Sequence, residues 1–480
     1  MPNLKQKVTT GLKWSAIERL TTQLVQLLVM LILARLLGPS AFGLIGMLAV
    51  FIAISQVFVD SGMSSALIRK LDRTEHDFAT AFYFNIAVSL LCYALLYACA
   101  PMIATFYEQP ELNSLMRWIG FVVIINAFTV IPKAKLTIEM DFKTQAKASV
   151  LSVLISSVVG LLMAYHGYGV WSLVAQTLTF AFANAVLINL IYRWRPTLGP
   201  SLKSFNELFG FGSKLLVSGL IDSIYQNIYQ LIIGKQFNAV DVGHFTQANQ
   251  LAKVPAQTFT AIIQRVTYPM LSEMQEHPEK LNAAYLLTLR LAAAIIFPLL
   301  MGLAILADIL LPMILGEVWE PAAILVSILA FGLILYPIHA INLNYLKVKG
   351  RSDLFLKLEI IKKVITTSIL FITVPLGVTA ICIGVVVQSH ISLLINTYYN
   401  GKLGKLTLIS QLRGLLPIWL LSFSVCILSR MIAEIVAINS IVITLLTLFI
   451  AIPLYILSVK VFQNDLYQHV LSALLKKKNR

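Results

Sequence analysis

The side chains with chemistry to offer in this sequence are the charges set inside long apolar runs. Arg19 and Lys253 stand first, each on a stripe of polar residues at helical spacing and at least one turn from the end of its run. Lys214 and Arg265 follow. A guanidinium presents a planar fork of donors and an ammonium a compact point charge, and both suit a phosphate or pyrophosphate. Around these cations the same stripes carry Glu18, Thr22 and Gln26, then Gln56 and Asp60, then Asp222 and Gln226, then Gln250 and Gln257. Together they predict an aqueous path of net positive character whose cargo is anionic. A competing reading stays open for each residue. Ser, Thr and Gln also stitch apolar helices together by hydrogen bonds, Glu18–Arg19 and Lys214–Asp222 could pair structurally, and Lys214 lies where a long side chain reaches the interface.

Nothing else in the chain reads as an active site. Cys92, Cys99, Cys382 and Cys426 all lie in apolar runs without metal-ligand spacing. Two helical turns separate Cys92 from Cys99, too far for a disulfide. The seven histidines show no ligand spacing, and His339 and His390 read as packed or pore-lining. There is no G-x-S-x-G, Walker A or HExxH pattern. No enzymatic activity, metal or cofactor is expected.

The elements that must position these residues follow from composition. Of 480 residues, 58% are hydrophobic and 12% charged, half the charge fraction of roughly 25% found in soluble domains. That excludes a cytosolic multidomain enzyme, a secreted disulfide scaffold and a disordered chain. What remains is an all-α polytopic membrane protein. Apolar runs predict fourteen spans, near 13–36, 41–66, 78–106, 112–132, 146–166, 169–192, 208–234, 239–270, 284–311, 320–346, 356–375, 377–400, 414–435 and 438–461. The first is too long and too polar for a cleavable signal peptide.

The net charge of +15 takes its meaning from position, and it points to no nucleic acid. Basic residues precede span 1 and cluster at alternate connections: Arg69, Lys70 and Arg73; Lys133, Lys135, Lys143 and Lys147; Arg193, Arg195 and Lys203; Lys347, Lys349, Arg351 and Lys357; Lys402, Lys405 and Arg413; and the tail from Lys476. The intervening connections carry almost none, with Arg35, Lys235 and Arg117 the exceptions. Under the positive-inside rule both termini are cytoplasmic, touching anionic lipid. This parity also requires span 8 to cross, despite Asp241, His244, Lys253 and Arg265.

An internal repeat organises the spans. ILARLLGPSAFG from Ile32 lines up with LIIGKQFNAVDVG from Leu231 at an offset of 200. Met140-Asp141-Phe142-Lys143 and Gly169-Val170-Trp171 line up with Val348-Lys349-Gly350-Arg351 and Gly377-Val378-Thr379 at 208. An offset of six spans preserves orientation, so the two halves are parallel-related. The expected lobes are 1–200 and 201–405, with 406–480 an added helix pair and basic tail. Repeats of this kind hold cargo between two rocking halves, and the polar stripes fall on spans 1, 2, 7 and 8, the first pair of each half.

The stretch GLKWSAIERLTTQLVQLLVMLILARLLGPSAFGLIGMLAVFIAISQVFVDSGMSSALIRK resembles the opening of Wzx-type polysaccharide flippases, in the colanic and teichuronic acid export branch of the multidrug/oligosaccharidyl-lipid/polysaccharide exporter superfamily. EMDFKTQAKASVLSVLISSVVGLLMAYHGYGVWSLVAQTL and GHFTQANQLAKVPAQTFTAIIQRVTYPMLSEMQ resemble later regions of that branch. The resemblance implies an alternating-access transporter of the bacterial inner membrane that moves an undecaprenyl-pyrophosphate-linked oligosaccharide outward. It further implies central cations on the pyrophosphate, a groove of spans 13 and 14 for the prenyl tail, and a polysaccharide polymerase and initiating glycosyltransferase as partners. Two other classes compete: a cation-coupled multidrug antiporter using Glu18, Asp60 and Asp222, and a membrane glycosyltransferase or polymerase, which needs catalytic acids and a sizeable loop.

Overall fold

The computed structural model describes residues 2–404, 406–437 and 439–478, and their side chains except those of 2–9, 12, 265, 266, 268, 269, 352, 470 and 473–478. Among the described residues the chain is all helix and short connections, with no strand. Apolar sequence destined for lipid can satisfy its backbone only internally, and the helix does so within one segment. The helices are α1 (Pro2–Asp60), α2 (Met63–Arg69), α3 (Glu75–Tyr107), α4 (Glu111–Ile119), α5 (Phe121–Ile138), α6 (Phe142–Tyr165), α7 (Trp171–Ile191), α8 (Leu202–Gln236) and α9 (Ala239–Glu273). They continue as α10 (Pro278–Leu315), α11 (Glu320–Leu333), α12 (Tyr336–Val348), α13 (Ser352–Thr373), α14 (Val378–Leu403), α15 (Leu408–Val436), α16 (Ser440–Phe462) and α17 (Asn464–Lys478).

Among the described residues, eleven helical segments are long and apolar enough to cross a membrane. The first, Lys13–Arg69, contains expected spans 1 and 2 and breaks at Gly38, whose φ of 72° is left-handed and precedes Pro39. Proline cannot donate to the preceding turn, and glycine alone takes the reversed φ without strain. Spans 4 and 10 are each split, into α4/α5 and α11/α12. Expected spans 8 and 11 coincide with α9 and α13, helical but too polar to be among the eleven.

The chain divides into two compact units, Met1–Gly243 and His244–Arg480. In the first, α8 runs along the second limb of α1 through a seam of small residues. Gly62 and Gly212 each face the other's backbone, so that a Cβ on Gly62 would stand 2.6 Å from the Gly212 carbonyl oxygen. Further along, Gly219 meets Val57 and Gly234 meets Met47 and Tyr107. At the far end Gly43 abuts the Ala239 carbonyl and Gly243 the Pro39 carbonyl. These last four are two pairs at the repeat offset of 200, meeting reciprocally.

Below this seam a polar junction closes the helix ends. Asp77, 1% exposed, accepts from the Thr74 backbone N–H at 2.8 Å and pairs with Lys70 at 3.0 Å, while Lys70 also reaches Glu207 at 2.9 Å. Burial opposes the charge on Lys70, but the hydrogen bonds and charges of Glu207 and Asp77 hold it above the ordinary lysine range. Its contribution to stability is therefore complete at neutral pH and fades only as pH rises through that raised value. Lys135 pairs with Glu75 at 2.6 Å beneath the rings of Phe78 and Trp194.

The second unit packs α10, α11, α12, α14 and α15 around Tyr285, Phe297, Trp319 and Tyr345, all essentially fully buried. Amides knit its interior: Asn400 donates to the Asn342 Oδ1 at 2.6 Å, and Asn342 exchanges hydrogen bonds with Gln411 at 3.1 Å. Helix α17 is held by Arg290, which forks onto Asp465 at 2.6 and 3.0 Å and keeps that carboxyl below its usual range. On α15, Arg430 forks onto Asp308 of α10, both contacts at 2.6 Å.

The Lys70–Asp77 pair makes a direct prediction. Asp77→Ala leaves Lys70 with Glu207 alone and uncaps α3, and should destabilise the protein by about 1–3 kcal/mol, read as a lowered melting temperature in detergent. The double variant Lys70→Met/Asp77→Leu removes both charges and should recover much of that loss.

Candidate functional site

The predicted path residues divide between the two units. In the first, α1 carries Glu18, Arg19, Thr22 and Gln26 along successive turns. Arg19 and Gln26 are exposed, and Arg19 forms no ion pair among the described residues. Thr22 donates back to the Glu18 carbonyl at 2.7 Å, a bond within its own helix. Gln56 accepts from Asn126 of α5 at 3.1 Å, so for Gln56 the stitching role holds. Asp60 accepts from the Ser64 hydroxyl across the α1–α2 turn. On α8, Lys214, Asp222 and Gln226 are all exposed, spaced four or eight residues apart along one flank.

In the second unit, α9 presents Gln250, Lys253 and Gln257 at i, i+3 and i+7. Gln250 is exposed, and Gln257 donates to the Tyr336 hydroxyl at 3.4 Å. Lys253 is half-buried and has no carboxylate partner among the described residues. An ammonium removed from water without a counter-charge is costly, which makes Lys253 the most conspicuous cation of the unit. Arg265 lies on α9, but its side chain is outside the described residues.

The structure adds one residue and moves another. Lys133 and Lys135 read from sequence as part of the 4–5 connection; α5 instead continues through Pro132 to Ile138, placing both on the helix. Lys133 is half-buried and within electrostatic reach of Glu18, so that carboxylate has a cationic partner other than its chain neighbour Arg19. The signal was present in LTI after Lys135, an apolar turn that prolongs the run. His339 is packed: its Nε2 lies 3.0 Å from the Ser389 hydroxyl and its Nδ1 3.3 Å from the Asn396 amide. His390 is exposed. No cluster of metal-ligating side chains occurs among the described residues.

The second unit also holds an apolar groove of about 470 Å³ between α10, α15 and α16, walled by Pro298, Leu299, Gly302, Leu448 and Ile452. Tyr455 stands at its edge with its hydroxyl donated to the Ala294 carbonyl at 2.9 Å. Nothing charged lines it. Such a surface suits a hydrocarbon chain.

The fold has counterparts among solved structures. It superposes on a lipid II flippase MurJ in an inward closed conformation with TM-score 0.76 at 14% identity, covering 95% of this chain and 99% of that one. An inward-facing multidrug resistance MATE family transporter of the MOP superfamily gives 0.63 at 19% identity, over 81% and 97%. At these identities the likeness concerns the fold.

Sequence comparison supplies the family. A family model described as "polysaccharide biosynthesis protein" matches residues 32–324, more than half of the chain, and the chain belongs to that family. Among its relatives, the teichuronic acid biosynthesis protein TuaB of Bacillus subtilis is 25% identical over 356 residues, covering 74% of both chains. The lipopolysaccharide biosynthesis protein WzxC of Escherichia coli is 24% identical over 371 residues, covering 75% of this chain and 74% of WzxC.

The Gln56–Asn126 contact separates stitching from lining. Gln56→Leu leaves the Asn126 amide without its acceptor and should lower stability by about 1–3 kcal/mol in a detergent melting curve. Transport per folded molecule should be unchanged.

Proposed function

We propose that this chain is a flippase that moves undecaprenyl-pyrophosphate-linked oligosaccharide repeat units from the cytoplasmic to the outer leaflet for surface polysaccharide assembly. It works by alternating access in the bacterial inner membrane, with α9 and α13 as the eighth and eleventh of fourteen spans and both termini cytoplasmic. Lobes 1–200 and 201–405 rock about the cargo, and 406–480 supplies the added helix pair. The observation that carries the reading is Lys253, a half-buried cation without a carboxylate partner among the described residues, on a face shared with Gln250 and Gln257. Arg19, exposed and without an ion pair among the described residues, is its counterpart on α1.

In this account Arg19 and Lys253 bind the pyrophosphate, with Lys214 and Arg265 guiding it and Gln26, Gln226 and Gln250 meeting the polar head. The uncharged groove of α10, α15 and α16 takes the isoprenoid tail. An inside-negative potential helps: each negative charge moved outward gains about 2.3 kcal/mol per 100 mV, or roughly 5 for a doubly charged pyrophosphate. The names of TuaB and WzxC, both biosynthesis proteins of surface polymers, support the cargo class, and the fold shared with a lipid II flippase supports the mode of action. A polymerase and an initiating glycosyltransferase are the partners such a reaction requires.

A drug antiporter on the same fold would need acids free to exchange protons or cations. Asp60 accepts from the Ser64 hydroxyl and Glu18 lies within electrostatic reach of Lys133, which engages two of the three candidate acids. In a deletion strain, Arg19→Ala and Lys253→Ala should each lower surface glycan at least tenfold, since a hydrogen bond to a charged group contributes about 1.5–3 kcal/mol. The lipid-linked repeat should accumulate, Lys253→Arg should recover part of the export, and resistance to cationic dyes should not change. Full export by both alanine variants would contradict the assignment.

A further inference from the structure

A second groove, in the first unit between α1, α6 and α7, serves none of the roles above. It measures about 510 Å³ and is walled by Trp14 and Ile17 of α1, Lys147 and Leu154 of α6, and Leu187 and Ile191 of α7. Thr21 and Leu151 complete the helical register, giving 14, 17 and 21 on α1 and 147, 151 and 154 on α6. The groove is graded along its length. α1 and α6 run away from the end that bears Trp14 and Lys147, and α7 returns to that end at Ile191. Trp14, Lys147 and Ile191 therefore mark one end, while Thr21, Leu154 and Leu187 mark the other, about 10 Å away.

The charge is as uneven as the polarity. Lys143, one turn before Lys147, lies over the Trp14 ring at 5.7 Å. Lys13, Lys143 and Lys147 are exposed and form no ion pair among the described residues. The neighbouring carboxylates are occupied. Asp141 accepts from the Thr144 backbone at 3.1 Å and its hydroxyl at 2.6 Å, and Glu139 accepts from the Tyr192 hydroxyl. Ile17, Leu151, Leu154 and Ile191 are 39–50% exposed, apolar walls that only hydrocarbon covers in a bilayer.

We propose that this groove is a binding site for an anionic phospholipid, with one acyl chain along Ile17, Leu154 and Leu187 and the phosphate held by Lys143 and Lys147. A soluble anion has no chain to cover the apolar walls. A zwitterionic lipid brings an ammonium against Lys143 and Lys147. The end that carries Trp14 and the lysines is the cytoplasmic one under the orientation proposed above, where anionic headgroups draw basic clusters and tryptophan sits at headgroup level.

The test needs no cargo, so its outcome is independent of the flippase reading. The full chain is reconstituted into phosphatidylcholine nanodiscs doped with phosphatidylglycerol. Retained lipid is then counted by native mass spectrometry, and quenching by brominated phosphatidylglycerol is compared between the wild type and Trp14→Phe. The wild type should retain one phosphatidylglycerol in preference to phosphatidylcholine, and Trp14 should account for part of the quenching. Lys143→Gln/Lys147→Gln should weaken retention roughly thirtyfold, from about a fivefold step per lysine. Leu154→Trp, which fills the groove and leaves every charge in place, should abolish it. Equal retention of the two lipids, or undiminished binding by both variants, would overturn the proposal.

Discussion

Inside a bilayer every backbone N–H and C=O must find its partner within the protein, and every charge must be compensated, hydrated or used. The first demand makes the described chain helices joined by short connections. The second separates several of its cations by what they do. Lys70, Lys135, Arg290 and Arg430 are consumed by Asp77, Glu75, Asp465 and Asp308, where they fasten one helix end to another. Lys147 lines the groove between α1, α6 and α7, and Lys143 lies over its Trp14. Arg19 and Lys253 do neither, and it is this residue of uncommitted charge that points to an anionic cargo.

Packing within each unit follows from the same scarcity of polar surface. The first unit joins α1 to α8 and to the start of α9 through glycines, since backbones can approach closely only where no Cβ intervenes. Gly43 and Gly243 make this most plainly, each against a carbonyl of the other's helix. The second unit uses amides, with Asn400 and Gln411 both hydrogen-bonded to Asn342 in the interior. Glycine seams give close approach with little specificity of register; amide clusters fix the register and tolerate little displacement.

Much of this was legible in the sequence. The low charge fraction, the apolar runs and the alternation of basic connections announce a helical membrane protein, and all of the expected spans fall on helices. The polar stripes on α1, α8 and α9 were equally visible, because a charge is conspicuous in an apolar run. What the sequence hid is the partnering of each polar group. Gln56 and Gln250 look alike as residues in stripes, yet Gln56 is spent on Asn126 while Gln250 is exposed. Lys133 looked like a loop residue because Pro132 reads as a helix end, whereas lipid-embedded helices accommodate proline. His339 in an apolar run gave no sign of Ser389 and Asn396, fifty and fifty-seven positions further along.

The central claim is that the uncommitted cations exist to carry a pyrophosphate headgroup across the membrane. Its most direct test is a transbilayer assay with the purified protein in liposomes, comparing a pyrophosphate-linked oligosaccharide isoprenoid with the same glycan on a neutral-headed isoprenoid. The account predicts fast movement of the pyrophosphate lipid, accelerated when the accepting side is made positive, and slow movement of the neutral one. Equal rates for the two lipids would contradict it.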